Sequence, residues 1–264
     1  MISRYIKKNK YLFSLALTIK EKSNEAPKLK NKHAKLLATL RSDGVVALPS
    51  FFNEQECKEL INAYTGIDDK YVRTEKNDRR VFGIHTLSTP HKKLFHDNEL
   101  FKEIGEAYLG EEAVLQTTMA AKITPDRNVE FGSGGGWHRD SFSRQFKAVA
   151  YLNDVDINNG PFQYIKGSHK MSNIKKVLFS LPKRKNANDA RYSESEIDTI
   201  CNICNQEITK FVAPKGSVIL ADVRGIHTGV PIETGYRYSI FNYYIAKSFH
   251  QKNNTIEKIS NLNY

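Results

Sequence analysis

From residue 113 onward the chain carries five segments dense in β-branched and aromatic side chains: "AVLQTTMAAKI", "FKAVAYLNDV", "FQYIKGS", "KGSVILADV" and "YRYSIFNYYIA". Turn clusters such as "INNGP" and "ETGY" separate several of them. Segments of this kind suit pleated strands, whose side chains alternate between two faces that must each be covered or solvated. Helical patterns come first. His33 to Arg41 is stopped by Gly44, Asn53 with Glu56 opens a helix through Tyr64, and Asp97 to Leu109 ends at Gly110. Between the first two, "VVALP" reads as a short strand. The pattern predicts a mainly β fold with flanking helices, a sandwich or small barrel. With 40% hydrophobic residues, one domain over residues 33–250 can fill its core, followed by a tail, 251–264.

Two stretches do not fit the strand series. Between Lys170 and Phe211 the pattern lapses into a basic loop, "LPKRKNANDA", and a helix from Ser193 to Cys204. An excursion of that length, 171–210, from a β scaffold suits a cover over a site. The other is the basic leader, residues 1–32. Eleven Lys and Arg against two acids give residues 1–42 a charge of +9, leaving +2 for the rest of the chain. A nucleic-acid-coating domain would carry basic stripes through its folded part, so no nucleic-acid partner is expected. The apolar run Tyr11 to Ile19 is too short to span a bilayer and lacks a small-x-small cleavage site after it. It suits a helix packed on the domain or an amphipathic one on an anionic membrane. Three cysteines cannot form a paired framework, and they fit a reducing, cytoplasmic compartment, with peripheral membrane attachment the variant of that reading. "CNIC", 201–204, has metal-ligand spacing but no second pair or nearby histidine to complete a zinc site.

Chemistry concentrates at "GGGWHRDSF", 134–142. Residues i and i+2 of a strand share a face, so His138 and Asp140 would project together while Arg139 points away. The preceding glycines allow a sharp turn, and Trp137 suits a core or mouth-lining role. His227, 89 residues after His138 at the end of the strand "SVILADV", would complete two histidines and a carboxylate, the facial triad of non-haem Fe(II) sites. H-x-D alone is common without a metal. Arg237 and Ser239, on one face of "RYS", strengthen the reading, because a guanidinium with a hydroxyl can hold the carboxylate of an oxo acid. Ser168 beside His169 has no orienting acid and does not make a hydrolase triad.

Together, "LRSDGVVALPSFFNEQECKELINAY", "WHRD", "YLNDVDINNGPFQYIKGSHK", "KGSVILADVRGIHTGVP" and "RYS" resemble, in order, the phytanoyl-CoA dioxygenase family of Fe(II)/2-oxoglutarate oxygenases, over roughly Lys35 to Ala246. The resemblance implies a double-stranded β-helix, the jelly-roll or cupin-like class. It implies iron ligands at His138, Asp140 and His227, and a 2-oxoglutarate arginine at Arg237. It also places Lys122, in "AAKITP", at a position that often reaches the cosubstrate, and gives His169 a structural part. With O2, such enzymes convert 2-oxoglutarate to succinate and CO2 and hydroxylate an unactivated C–H bond. Halogenating relatives lack the carboxylate that Asp140 supplies. The implied substrate is a small or lipid-linked metabolite, and the basic leader and loop favour an anionic one. Two other readings use the same scaffold: a non-catalytic metal-binding jelly roll docking on an anionic membrane or polymer, and a zinc-dependent hydrolase.

Overall fold

The computed structural model describes residues 6, 8–22, 33–126, 128, 135–181, 186 and 188–253. Half of the leader, Gly134, half of the basic loop and the tail from 254 lie outside the described residues. The elements run α1 (Lys10–Lys22), α2 (Ala34–Asp43), β1 (Val45–Leu48), α3 (Glu54–Thr65), β2 (Arg73–Glu75), β3 (Asp78–Phe82), a wide helical turn His91–His96, α4 (Glu99–Leu109) and β4 (Ala113–Ile123). They continue with β5 (Gln145–Tyr151), β6 (Phe162–Ile165), α5 (Met171–Ser180), α6 (Glu194–Cys204), β7 (Ile208–Phe211), β8 (Val218–Asp222), β9 (His227–Gly229), β10 (Arg237–Ala246) and α7 (Lys247–Asn253).

Local signals in the sequence act as expected at the helix ends. Gly44 adopts φ 84° and closes α2 through a bond to the Leu40 carbonyl. Asn53 and Glu56 form a reciprocal capping box on α3. The cap of α4 is Asn98 rather than Asp97, and its side chain accepts from Phe101 N. Beyond the elements that the sequence predicts are the β2–β3 hairpin, whose residues are mostly polar, helix α5 in the excursion, the short strands β7 and β9, and α7.

All strand pairs are antiparallel. A seven-stranded sheet, ordered β1-β8-β5-β10-β4-β3-β2, packs against a three-stranded sheet, β7-β6-β9. This is the jelly roll, mainly β with flanking helices. Strand alternation divides the large sheet into two chemistries. On β5 and β10, Phe146, Ala148, Ala150, Tyr238, Ile240 and Tyr244 face outward into a core shared with α2, α3 and α4. Their neighbours Val149, Tyr151 and Phe241 face inward, toward Phe162 and Tyr164 of the small sheet. The odd-numbered positions therefore line the space where a site can form.

The described part of the excursion 171–210 packs as part of the fold. Trp137 is buried with Ile165, Val177, Ile197 and Ile200, and its Nε1 donates to Glu194 Oε2 at 3.2 Å. Helix α1 lies against α5 through Phe13, Leu17, Ile174 and Leu178. Among the described residues no helix is long and apolar enough to cross a membrane.

Candidate active site

His138 comes from a loop and His227 from the start of β9, and the two sheets bring them together. After β8 the chain leaves the large sheet and turns at Gly225, so His227 begins a new strand, β9, in the small sheet rather than ending the strand before it. The turn is tight against its neighbour: a Cβ at Gly225 would sit 1.7 Å from Tyr164 Oη. Below it, Asp222 is fully buried and accepts from Tyr108 Oη, from Arg224 N at 2.8 Å and from Arg224 Nε at 2.9 Å. Burial would raise the Asp222 carboxyl, but the Arg224 charge together with the hydrogen bonds from Arg224 and Tyr108 and the nearby His169 holds the group below its ordinary value.

His138 is not in a regular strand. It makes isolated bridges to His227 and to Arg191 of the excursion. Gly135 and Gly136 have φ of 72° and 83°, the left-handed turn that the glycine run suggested. Arg139 points away from the cluster's centre, as alternation requires. It is buried and donates to the carbonyls of Ser168 and Arg224 and to Tyr192 Oη.

The three side chains converge. Nδ1 of His138 is 2.8 Å from the Gly136 carbonyl, and Nδ1 of His227 is 2.9 Å from that of Gly225. Carbonyls only accept, so each Nδ1 carries the proton and each Nε2 presents its lone pair. Asp140 Oδ1 lies 3.2 Å from His138 Nε2 and 3.5 Å from His227 Nε2, and one ligand atom from each residue falls within 4.8 Å of the others. The His227 Nε2 is buried without a hydrogen bond. Burial also lowers the pKa of His227, favouring the neutral form a cation needs. Burial pushes the Asp140 carboxyl up, yet neighbouring positive charge, that of Lys147 foremost, holds it well below the usual carboxylate range. Two lone-pair nitrogens and an ionised oxygen at these spacings can hold a divalent transition metal.

The triad opens into a cavity of about 470 Å³, which also receives Arg237, Ser239, Tyr151, Lys147 and Arg80. Ser239 is directly opposite Tyr151 on β5. Arg237 is buried with Nε and Nη1 unbonded, and Ser239 Oγ is likewise buried and unbonded. Unmet donors of this kind fit a carboxylate arriving from solution. The structure does not bring Lys122 to the cavity. On β4 it pairs with Tyr238, on the outward face, and its Nζ lies 5.3 Å from the Tyr238 ring centre. The alternation that places Arg237 inside therefore places Lys122 outside. Arg80, opposite Ala121 on β3, lines the cavity instead.

Lys147 and Arg80 were missed by the sequence reading. Lys147 had a signal: a lone lysine inside the apolar run "FKAVAY" must find a partner when the strand is central. It does so in Asp140, at 2.7 Å. His169 is structural, with Nε2 at 3.1 Å from the Arg41 carbonyl. Cys201 and Cys204 are free thiols; burial raises both, Cys204 to about 11.

The phytanoyl-CoA dioxygenase family model matches residues 40–237. No curated protein sequence matches the chain. Among solved structures, EctD from S. alaskensis with 2-oxoglutarate and 5-hydroxyectoine is similar at 20% identity and a TM-score of 0.64, covering 84% of this chain and 79% of that one. The epimerase SnoN, in complex with Fe3+, alpha ketoglutarate and nogalamycin RO, gives 18% identity and 0.61 over 80% of this chain and 82% of its own. HygX from Streptomyces hygroscopicus, with nickel, 2-oxoglutarate and hygromycin B, gives 16% and 0.58 over 83% and 88%. At these identities the structural likeness establishes the jelly-roll fold, and the family match extends across the cavity's principal residues. The chain belongs to the phytanoyl-CoA dioxygenase family and is an iron- and 2-oxoglutarate-dependent oxygenase that uses O2.

Proposed function

We propose that His138, Asp140 and His227 hold Fe(II), that Arg237 with Ser239 receives the distal carboxylate of 2-oxoglutarate, and that the enzyme hydroxylates a C–H bond of a small or lipid-linked anionic metabolite. The reaction is R–H + 2-oxoglutarate + O2 → R–OH + succinate + CO2, with one oxygen atom entering each organic product. The observation that carries it is the pairing, in one cavity, of a convergent His-Asp-His triad with a buried arginine whose donors are unmet. Iron, when bound, supplies the activation of O2. The protein's part is to hold two neutral imidazoles by their Nδ1 protons, keep Asp140 ionised, and orient the cosubstrate by its far carboxylate.

Charge in the cavity supports the substrate class. Lys147, Arg191 and Arg237 line it, with Arg80 paired to Asp78, and Asp140 is the one acid among the lining residues. A divalent metal adds to that excess, and 2-oxoglutarate offsets only two charges of it, so an anionic substrate is favoured. Attachment to an anionic bilayer belongs to the same reading. Tyr11 and Leu15 on α1 and Phe179 on α5 are exposed together, with Tyr11 and Phe179 ring centres 5.2 Å apart, beside exposed Lys8 and Lys176.

The test is succinate formation by the purified protein with Fe(II), ascorbate and 2-oxoglutarate in air, beside His138→Ala and an anaerobic control. Turnover confined to the aerobic wild type supports the reading, and a panel of phosphorylated, carboxylated and glycolipid compounds then seeks stimulation. Metal uptake without 2-oxoglutarate binding would favour the non-catalytic jelly roll. Turnover that persists without oxygen and with zinc would favour the hydrolase.

A further inference from the structure

We infer that Lys147 is a positioning residue for the metal centre: by holding Oδ2 of Asp140 it leaves Oδ1 as the oxygen offered to the ion. The inference rests on the metal reading of the triad given above. The two carboxylate oxygens face different partners. Oδ2 is 2.7 Å from Lys147 Nζ, whereas Oδ1 is 3.2 Å from His138 Nε2 and 3.5 Å from His227 Nε2. A carboxylate with both oxygens unrestrained can rotate about its last bond or engage a cation through both. The contact with Nζ removes that freedom, and a carboxylate bound through one oxygen leaves coordination positions for a chelating cosubstrate.

The placement of Lys147 is fixed by the sheet. β5 is a central strand, and Lys147 is opposite Ala221 on one neighbour and Tyr243 on the other. Its Nζ lies 4.5 Å from the Tyr243 ring centre, and only 7% of the residue is exposed. Such a side chain cannot swing into water, and an ammonium buried without a partner is costly. Asp140 is the carboxylate within its reach, and the pair sits inside the cavity rather than in the core.

The test is titration of the full chain with Co(II), in the absence of 2-oxoglutarate, followed by the metal's visible absorption. Lys147→Met keeps the length of the stem without the donor and should bind Co(II) about tenfold more weakly, the low end of effects seen when a group supporting a metal ligand is removed. Lys147→Arg should return close to wild type. A residue acting by charge alone would give the opposite sign, since removing a cation beside a divalent ion tightens binding. Tighter or unchanged Co(II) affinity in folded Lys147→Met would overturn the inference. Circular dichroism of the metal-free proteins shows whether the variant folds, and Lys147→Gln, too short to reach Oδ2, replaces it with the same expectation if it does not. A wild-type chain that takes up no Co(II) would overturn the metal reading and this inference with it; unchanged affinity in the variant alone overturns only the inference.

Discussion

His138 and His227 exchange two backbone hydrogen bonds, N–H to carbonyl in both directions at 3.0 Å, so the two imidazoles are tied through their main chains as well as by what they could share. The pair is 89 residues apart in the chain, and its alignment depends on the turn that brings β9 under the large sheet. Replacing Gly225 with alanine puts a Cβ into Tyr164 Oη, which itself donates to the Asp222 carbonyl at 2.8 Å. Neither neighbour is a free side-chain end. Gly225→Ala should lose about 1–3 kcal/mol of stability, as over-packing does, and weaken metal binding, both measurable by urea unfolding and Co(II) titration.

Arg237 should govern cosubstrate affinity. Removing one partner of a buried charged hydrogen bond costs about 2–5 kcal/mol, so Arg237→Met should raise the 2-oxoglutarate requirement by about thirtyfold or more. Lys122→Ala, changed on the opposite face of the sheet, should leave that requirement near wild type. Succinate formation against 2-oxoglutarate concentration reads both. Equal effects of the two substitutions would contradict the assignment of faces.

Stability should fall as the medium becomes acidic, through a histidine away from the cavity. His91 is completely buried, its Nδ1 2.7 Å from Ser88 Oγ, and burial pushes its pKa down to about 4. The unfolded chain takes up this proton near pH ~6.5. The contribution is therefore present above about pH 6.5 and is lost as pH falls toward 4. At pH 5 the loss amounts to about 1–2 kcal/mol from His91 alone. His85, also depressed to about 4 by burial and stacked on His96 at 3.7 Å, acts in the same direction. Urea unfolding at pH 7 and pH 5 should show the loss, and His91→Gln should reduce it.

The exposed aromatic and basic face on α1 and α5 should bind anionic bilayers. Wild-type protein should sediment with phosphatidylglycerol vesicles and stay in solution with phosphatidylcholine alone, and salt should weaken the association. Replacing Tyr11, Leu15 and Phe179 together by serine should abolish it without loss of fold, since all three are exposed. Vesicle binding that survives this change would refer attachment to another surface.

The five strand-rich segments and the His138–Asp140 pair were legible in the sequence because both depend on short-range spacing. "AVLQTTMAAKI" is β4 to the residue, and the box at Asn53 and Glu56 forms as written. Histidine and aspartate two positions apart do converge, though through a turn and two bridges rather than a regular strand. What could not be read was which face each strand presents. Lys122 and Arg80 are both basic residues on strands, and only the pairing of Lys122 with Tyr238 and of Arg80 with Ala121 separates outside from inside. Helix α5 escaped because no side chain caps its start and its lysines merge with the basic loop that follows. The new strand at His227 depended on the close approach of Gly225 to Tyr164, a contact between residues 61 positions apart.

Strand β10 runs in unbroken register from Arg237 to Tyr243 against β4 and from Ser239 to Ile245 against β5, and its irregularity against β4 falls only after Tyr243. Over that span it behaves as a ruler. Losing one residue between Arg237 and Tyr243 would turn the guanidinium out among the helices and carry a tyrosine into its place. This stretch can diverge by substitution but not by length. Descendants of the sequence that keep the chemistry should preserve the interval of six between those two positions, whatever their loops gain or lose.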